Sequence, residues 1–312
     1  MDRFWFHISF ALLALASAET FVNAADQGDG SNLPGIVTFQ DKRIRESSGL
    51  ARSYRNANAV WTHNDSGDSA RLFLVDLGSG ETRLTCQLEG VRARDWEDMA
   101  SYERDGRAML VIGDVGSNRN DKRPRLLHFI DEPVAGAERE TGIRGAPVWS
   151  TVSFQFEDGF PDCEALAVDG AAGVVWLASK VRSGACGVYR LALPDRAGPT
   201  QQTASRVASM ELPMVTAMDL REDGLGMLFL TYIAIWEFRL PEGRVWPDLL
   251  TERPDVILFT PLGKQVEAIC YSAQEKEFHI SAEGRGARIW TRKLPRMTSA
   301  RKSVGGDLSA AQ

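Results

Sequence analysis

The residues that could do chemistry recur in pairs, two positions apart. Asp95 and Glu97 stand in Asp95-Trp96-Glu97-Asp98-Met99-Ala100, and Asp162 and Glu164 in Asp162-Cys163-Glu164-Ala165-Leu166-Ala167. A third copy, Glu46-Ser47-Ser48-Gly49-Leu50-Ala51, carries Glu46 and Ser48. Two weaker copies, Met214 to Asp219 and Gln265 to Cys270, place Thr216 and Glu267 in the second position. A further column ends the strand that follows each copy: Asp65, Asp114, Lys180, Tyr232 and Glu283, with Asn64 beside Asp65. Positions two apart on a strand share a face, so the columns converge at one end of whatever the repeats build. Carboxylates that dense raise one another's pKa or need a cation. Hard oxygens in a ring suit Ca²⁺, with its loose geometry, and also admit Mg²⁺ or Mn²⁺. Zinc is disfavoured, because no histidine stands in the columns. The same residues also fit a second reading, in which they only hydrogen-bond strand ends and line a wet channel.

The repeats define the elements that must hold these side chains. Successive copies lie about 50 to 67 residues apart, at or beyond the long end of propeller blade lengths. Each opens a unit of strand runs punctuated by Gly, Asn and Asp, which are hairpin signals. Unit one reads Ser48–Arg52, Ala59–His63, Arg71–Leu77 and Thr82–Leu88, and the later units repeat that order. A long insert, 131–146, precedes the fourth strand of unit two. Unit five runs out after three strands, and the lone strand Gly35–Gln40 is free to supply its fourth. The expected fold is therefore all-β: a propeller of five four-stranded blades over 35–296, closed by an N-terminal strand that removes an open edge. A six-bladed ring is the alternative and would need one more unit. No helix of any length is expected.

Composition narrows the function. The 312 residues hold 36 Lys and Arg against 42 Asp and Glu, a net charge of −6. That argues against a nucleic-acid partner, which would want a basic stripe. Arg3, the apolar run Phe4 to Ala18 and the exits Ala16-Ser17-Ala18 and Val22-Asn23-Ala24 have the form of a signal peptide, residues 1–24. The run is short for a bilayer span, so the mature chain is expected to have no membrane span and to be secreted or periplasmic. Residues 25–34 read as a flexible leader and 297–312 as a polar, disordered tail. Export would allow Cys86, Cys163, Cys186 and Cys270 one or two disulfides, while buried free thiols fit equally well. His63 and His279 fall among packing positions, which argues against a Ser-His-Asp triad, and no G-x-S-x-G elbow surrounds the serines of 46–49. Trp61, Trp176, Trp236 and Trp290 read as packing between blades.

At several of these residues the chain resembles a family of uncharacterised, secreted bacterial β-propeller proteins. The likeness rests on Glu46-Ser47-Ser48-Gly49-Leu50, Trp61-Thr62-His63-Asn64-Asp65-Ser66-Gly67-Asp68, Asp95 to Ala100, Gly113-Asp114-Val115-Gly116-Ser117-Asn118 and Asp162 to Leu166. More distantly, the architecture is similar to phytase-like and gluconolactonase-like propellers, and that resemblance implies a divalent metal on acidic channel side chains. Where it implies Gly-Asp-x-Gly-Asp-Asn, this chain has Ser117, which weakens one oxygen ligand. The resemblance implies fold more firmly than activity.

These readings give an exported propeller with a cation-binding acidic mouth, a metal-dependent hydrolase of esters, lactones or phosphoesters. Glu97, Glu164, Glu267 and Asp114 would hold the metal, Asp95 or Asp162 would act as general base, and Lys180 would steady developing negative charge. Glu46, Asn64, Asp65, Tyr232 and Glu283 complete the mouth. The alternative is a monomeric, non-catalytic module that binds a small molecule, a glycan or a protein there. A third reading, an enzyme that has lost its activity, fits Met214, Gln265 and Thr216 in place of acids.

Overall fold

The computed structural model describes residues 35–65, 67–117, 122–136, 140–261 and 264–295. The expected signal peptide, leader and tail lie outside the described residues, as do Ser66 and Asn118 of the quoted motifs. Within them, alternating apolar runs form strands in the expected order. After β1 (Ile36–Thr38), unit one comprises β2 (Ser47–Arg52), β3 (Ala59–Asn64), β4 (Arg71–Asp76) and β5 (Thr82–Leu88). Unit two comprises β6 (Trp96–Arg104), β7 (Arg107–Asp114), β8 (Arg125–Asp131) and, after β9 (Ile143–Ala146), β10 (Ser150–Phe156). Unit three holds β11 (Cys163–Asp169), β12 (Val174–Ser179), β13 (Cys186–Ala192) and β14 (Gly198–Met210). Unit four holds β15 (Val215–Leu220), β16 (Gly226–Thr231), β17 (Ala234–Arg239) and β18 (Val256–Phe259). Unit five holds β19 (Val266–Tyr271), β20 (Glu277–Ala282) and β21 (Arg288–Lys293). One turn of helix, α1 (Trp246–Leu249), begins at a proline between β17 and β18.

Each unit is an antiparallel meander, and its first strand is an edge of its sheet. Both faces of the inner strands are buried, so successive residues face different neighbours. On β7, Met109 and Val111 pack toward unit three, while Leu110 and Ile112 pack toward unit one. β16 does the same, with Met227 and Phe229 toward unit three and Leu228 and Leu230 toward unit five. Five apolar clusters result, one between each consecutive pair of units and one between unit five and unit one. This radial closure, with every layer covering the next, is the β-propeller architecture. The four tryptophans named above lie in or against these clusters. All four cysteines are buried as free thiols in four different clusters.

The N-terminal strand closes the ring as expected: β1 pairs antiparallel with β21, Ile36 opposite Trp290. Two features depart from the expected pattern. The 131–146 insert contains β9, which pairs parallel with β5 and adds a fifth strand to unit one. The fourth strand of unit three begins at Gly198 rather than Ser205. Its first half pairs parallel with β10 and its second half with β13, so units two and three share one eight-stranded sheet.

Deleting residues 1–40 should leave the edge of β21 open and remove Phe39, which is 3% exposed. Burial of one such side chain contributes about 2 kcal/mol. The expected outcome is a lower urea midpoint and more association by light scattering than the undeleted chain shows.

Candidate functional site: an acidic channel mouth

Every first strand carries a register irregularity at the same place. It falls between Ser47 and Gly49, Trp96 and Met99, Cys163 and Ala165, Val215 and Ala217, and Val266 and Ala268. The second column (Ser48, Glu97, Glu164, Thr216 and Glu267) therefore sits in a ring of bulges, a device that re-aims side chains and disrupts the local ladder. Ser48 donates its hydroxyl to the Glu97 carbonyl, and Thr216 donates to the Val266 carbonyl, each one unit onward.

Three of the acidic residues converge, and only Glu97 among them belongs to the expected metal set Glu97, Glu164, Glu267 and Asp114. Oxygens of Asp65, Asp95 and Glu97 all lie within 4.8 Å of one another. Glu97 shares a hydrogen bond with Glu164, and burial and then the Glu164, Asp65 and Asp95 charges raise its carboxyl well above the usual range. Burial pushes Glu164 up to about 7, against the Lys180 ammonium 3.1 Å away. Lys180 donates to the Tyr232 hydroxyl at 3.1 Å, and Tyr232 donates to Glu267 at 3.0 Å. Glu267 shares a hydrogen bond with Glu283, which burial and then the Glu267 charge push up to about 8, with Asp65 and Glu46 adding to it. Glu46 itself is exposed at the rim. The polar groups thus run from Asp95 through Glu97, Glu164, Lys180, Tyr232, Glu267 and Glu283 toward Asp65.

Two expected mouth residues support the rim from below. Asn64 accepts the backbone N–H groups of Arg45 (2.8 Å) and Glu46 (3.1 Å). Asp114 does the equivalent job in unit two, accepting from the Arg94 and Asp95 N–H groups and the Arg94 guanidinium. The register pairs Ser47 with Asn64 and Trp96 with Asp114, so Asp114 aligns with Asn64 and not with Asp65. The chain then runs one residue longer through buried Val115. Gly116 N–H bonds the Asp95 carbonyl as Asp65 N–H bonds that of Glu46. Asp162 accepts the Ser117 N–H at 2.9 Å, which ties unit three to that loop.

Three residues that matter were not singled out from sequence. Gly116 holds the position where other units place Asp65, Lys180 and Glu283. A Cβ there would overlap Glu97 Oε1 and lie 2.7 Å from the Asp95 carboxylate, so the missing side chain makes room for both. Asp98 is fully buried on the channel axis and accepts N–H groups from Met99 (2.8 Å), Leu166 (2.9 Å) and Met218 (3.2 Å). Burial raises its carboxyl, and those three donors oppose the rise. Asp219, also buried, accepts the Tyr271 N–H at 2.7 Å and is pushed by burial to about 7. The signal for Asp98 was present: it is an acid where the other units have Gly49, Ala165, Ala217 and Ala268.

No family model matches the sequence, and no curated protein matches it. Among solved structures, the Malassezia sympodialis allergen Mala s 1 is similar with a TM-score of 0.52 and 10% identity, over 83% of this chain and 96% of that one. At that identity the likeness concerns the fold alone. A Dos1 propeller (TM-score 0.39, 11% identity, 78% of this chain and 67% of that one) is more distant. So is hydrazine synthase of Kuenenia stuttgartiensis (0.38, 10%, 77% and 56%).

The buried acids set a pH dependence. Glu164, Asp219 and Glu283 keep protons in the folded chain that the unfolded chain has lost by about pH 5. The folded state then binds more protons, so stability falls as pH rises, through about 7 for the first two and about 8 for Glu283. Burial lowers His63, His128 and His279 to about 4, and they act oppositely, adding stability as pH rises toward their unfolded value. Urea unfolding in EDTA should therefore show stability declining from about pH 6.5 to about pH 8, where the histidines no longer offset the acids. A rise across that range would contradict these protonation states.

Proposed function

We propose that this propeller binds a divalent cation, Ca²⁺ by preference, at Asp65, Asp95 and Glu97. The observation that carries the reading is the 4.8 Å convergence of their oxygens. Carboxylates so close favour a bound cation or a retained proton. The donors are all oxygen, and the space beside them is kept by a glycine, which fits a hard cation with irregular coordination. Glu164 flanks this group through its hydrogen bond to Glu97, Glu267 stands further off behind Glu283, and Asp114 orients the Asp95 backbone. The N-terminal apolar run and its small-residue exit support export of the chain.

The test is thermal unfolding in EDTA and with added Ca²⁺, Mg²⁺ or Mn²⁺. A ligand that binds only the native state raises its stability by mass action, about 2.7 kcal/mol at a hundredfold excess over Kd. A clear rise with Ca²⁺ is expected at pH 8, with little or none in Glu97→Gln. Gly116→Ala should also lose it, because the new methyl displaces Glu97 and Asp95. No rise with any ion would remove the cation from this mouth.

A second reading, metal-dependent hydrolysis of an ester, lactone or phosphoester, is favoured by the Glu164–Lys180–Tyr232 group beside the three carboxylates. When bound, the cation would polarise the substrate oxygen and acidify a water. Lys180 would face developing negative charge, and Asp95 or Asp162 would accept a proton. Hydrolysis of a chromogenic panel in Ca²⁺ should fall about a hundredfold in Lys180→Met. A silent panel with a protein that still binds Ca²⁺ would leave a non-catalytic binding module.

A further inference from the structure

The channel has a second end. The far ends of β6, β11 and β15 and the turn after β2 surround a cavity of about 420 Å³. It lies roughly 20 Å from the acidic mouth along a six-residue strand. Its size falls within the range of small-molecule sites. Buried Asp98 and Asp219 stand on the axis between the two ends.

The lining is amphipathic. Val168, Leu220 and Tyr102 are buried and supply its apolar part, while Glu103, Arg104 and Glu222 are exposed at its edge. Tyr54 adds an oriented donor: Arg52 donates to its phenolic oxygen, so the Tyr54 proton points elsewhere. Burial pushes that phenol up to about 12, so it stays a neutral donor. Arg52 is itself held by Glu222 at 2.6 Å and Glu275 at 3.4 Å, and its guanidinium covers one face of the Tyr54 ring at 4.3 Å.

These features select a ligand chemistry. Glu103, Asp105 and Glu222 outnumber Arg104 in the lining, which disfavours an anion. A ligand with an apolar face and hydroxyls around its edge meets both parts of the wall, because each hydroxyl can donate to a carboxylate and accept from a phenol or guanidinium. We propose that this far mouth is a binding site for a neutral polyhydroxylated ligand, a mono- or disaccharide by its chemistry. The site is separate from the acidic mouth and needs no cation.

Saturation-transfer NMR tests it on the full chain in EDTA, with glucose, galactose, mannose, xylose, maltose and cellobiose as probes. At least one sugar should give signal with millimolar affinity, unchanged when Ca²⁺ replaces EDTA. Ala171→Trp, at an exposed lining position, should fill the cavity and abolish the signal at an unchanged melting temperature. Tyr54→Phe, which keeps the ring and removes the donor, should weaken binding about tenfold. No signal from any of the six sugars, or signal undiminished in both variants, would overturn the proposal.

Discussion

One carboxylate ties the centre of this ring together. The first strand of each unit is a sheet edge, so half of its backbone polar groups face the channel without a ladder partner. Buried backbone groups must nonetheless be satisfied. Asp98 supplies three of those bonds, to N–H groups on β6, β11 and β15. Asp219 reaches from β15 to β19, and the Ser48 and Thr216 hydroxyls cap carbonyls on β6 and β19. Polar side chains on the axis thus replace a missing ladder. Each N–H left without an acceptor would cost roughly 1–3 kcal/mol, which is why a buried acid is tolerated where apolar packing prevails elsewhere.

The same constraint explains where the chemistry gathers. An inner strand that pairs on one side only can take a bulge at its open end at little cost to the ladder. All five do so, and each puts its second-column residue in the bulge. Where that residue is Ser or Thr, its hydroxyl is spent on the next strand. Where it is Glu, the carboxyl joins the mouth. The charge is unevenly distributed because unit four gives Thr216 and Tyr232, and unit three gives Lys180. Lys180 and Tyr232 lie together and hold Glu164 and Glu267, which leaves Asp65, Asp95 and Glu97 as the compact acidic corner.

Much of this was legible in the chain. Strand runs, turn residues and the lone N-terminal strand pointed to a closed all-β ring, because burial on both faces demands continuous apolar runs. The strands that escaped notice are β9, with Arg144 and Gly145, and the first half of β14, with Gly, Pro, Thr and Gln, so backbone pairing rather than an apolar pattern holds them. Within the site, converging columns were readable because they recur. Asp114 was set one place off because Val115 lengthens unit two, a local irregularity that spacing alone conceals. Gly116 acts by lacking a side chain, and Asp98 is a single exception to a column of small residues. A search for repeats averages both of these away.

Glu97 and Asp98 are adjacent, and this joins the mouth to the ring. Glu97 sits in the bulge and faces the acidic corner, while the next residue binds β11 and β15. A ligand that fixes Glu97 therefore fixes the residue that holds three inner strands in register. Its binding free energy would be expressed in global unfolding rather than in the local order of a loop, because the strands it steadies belong to units two, three and four at once.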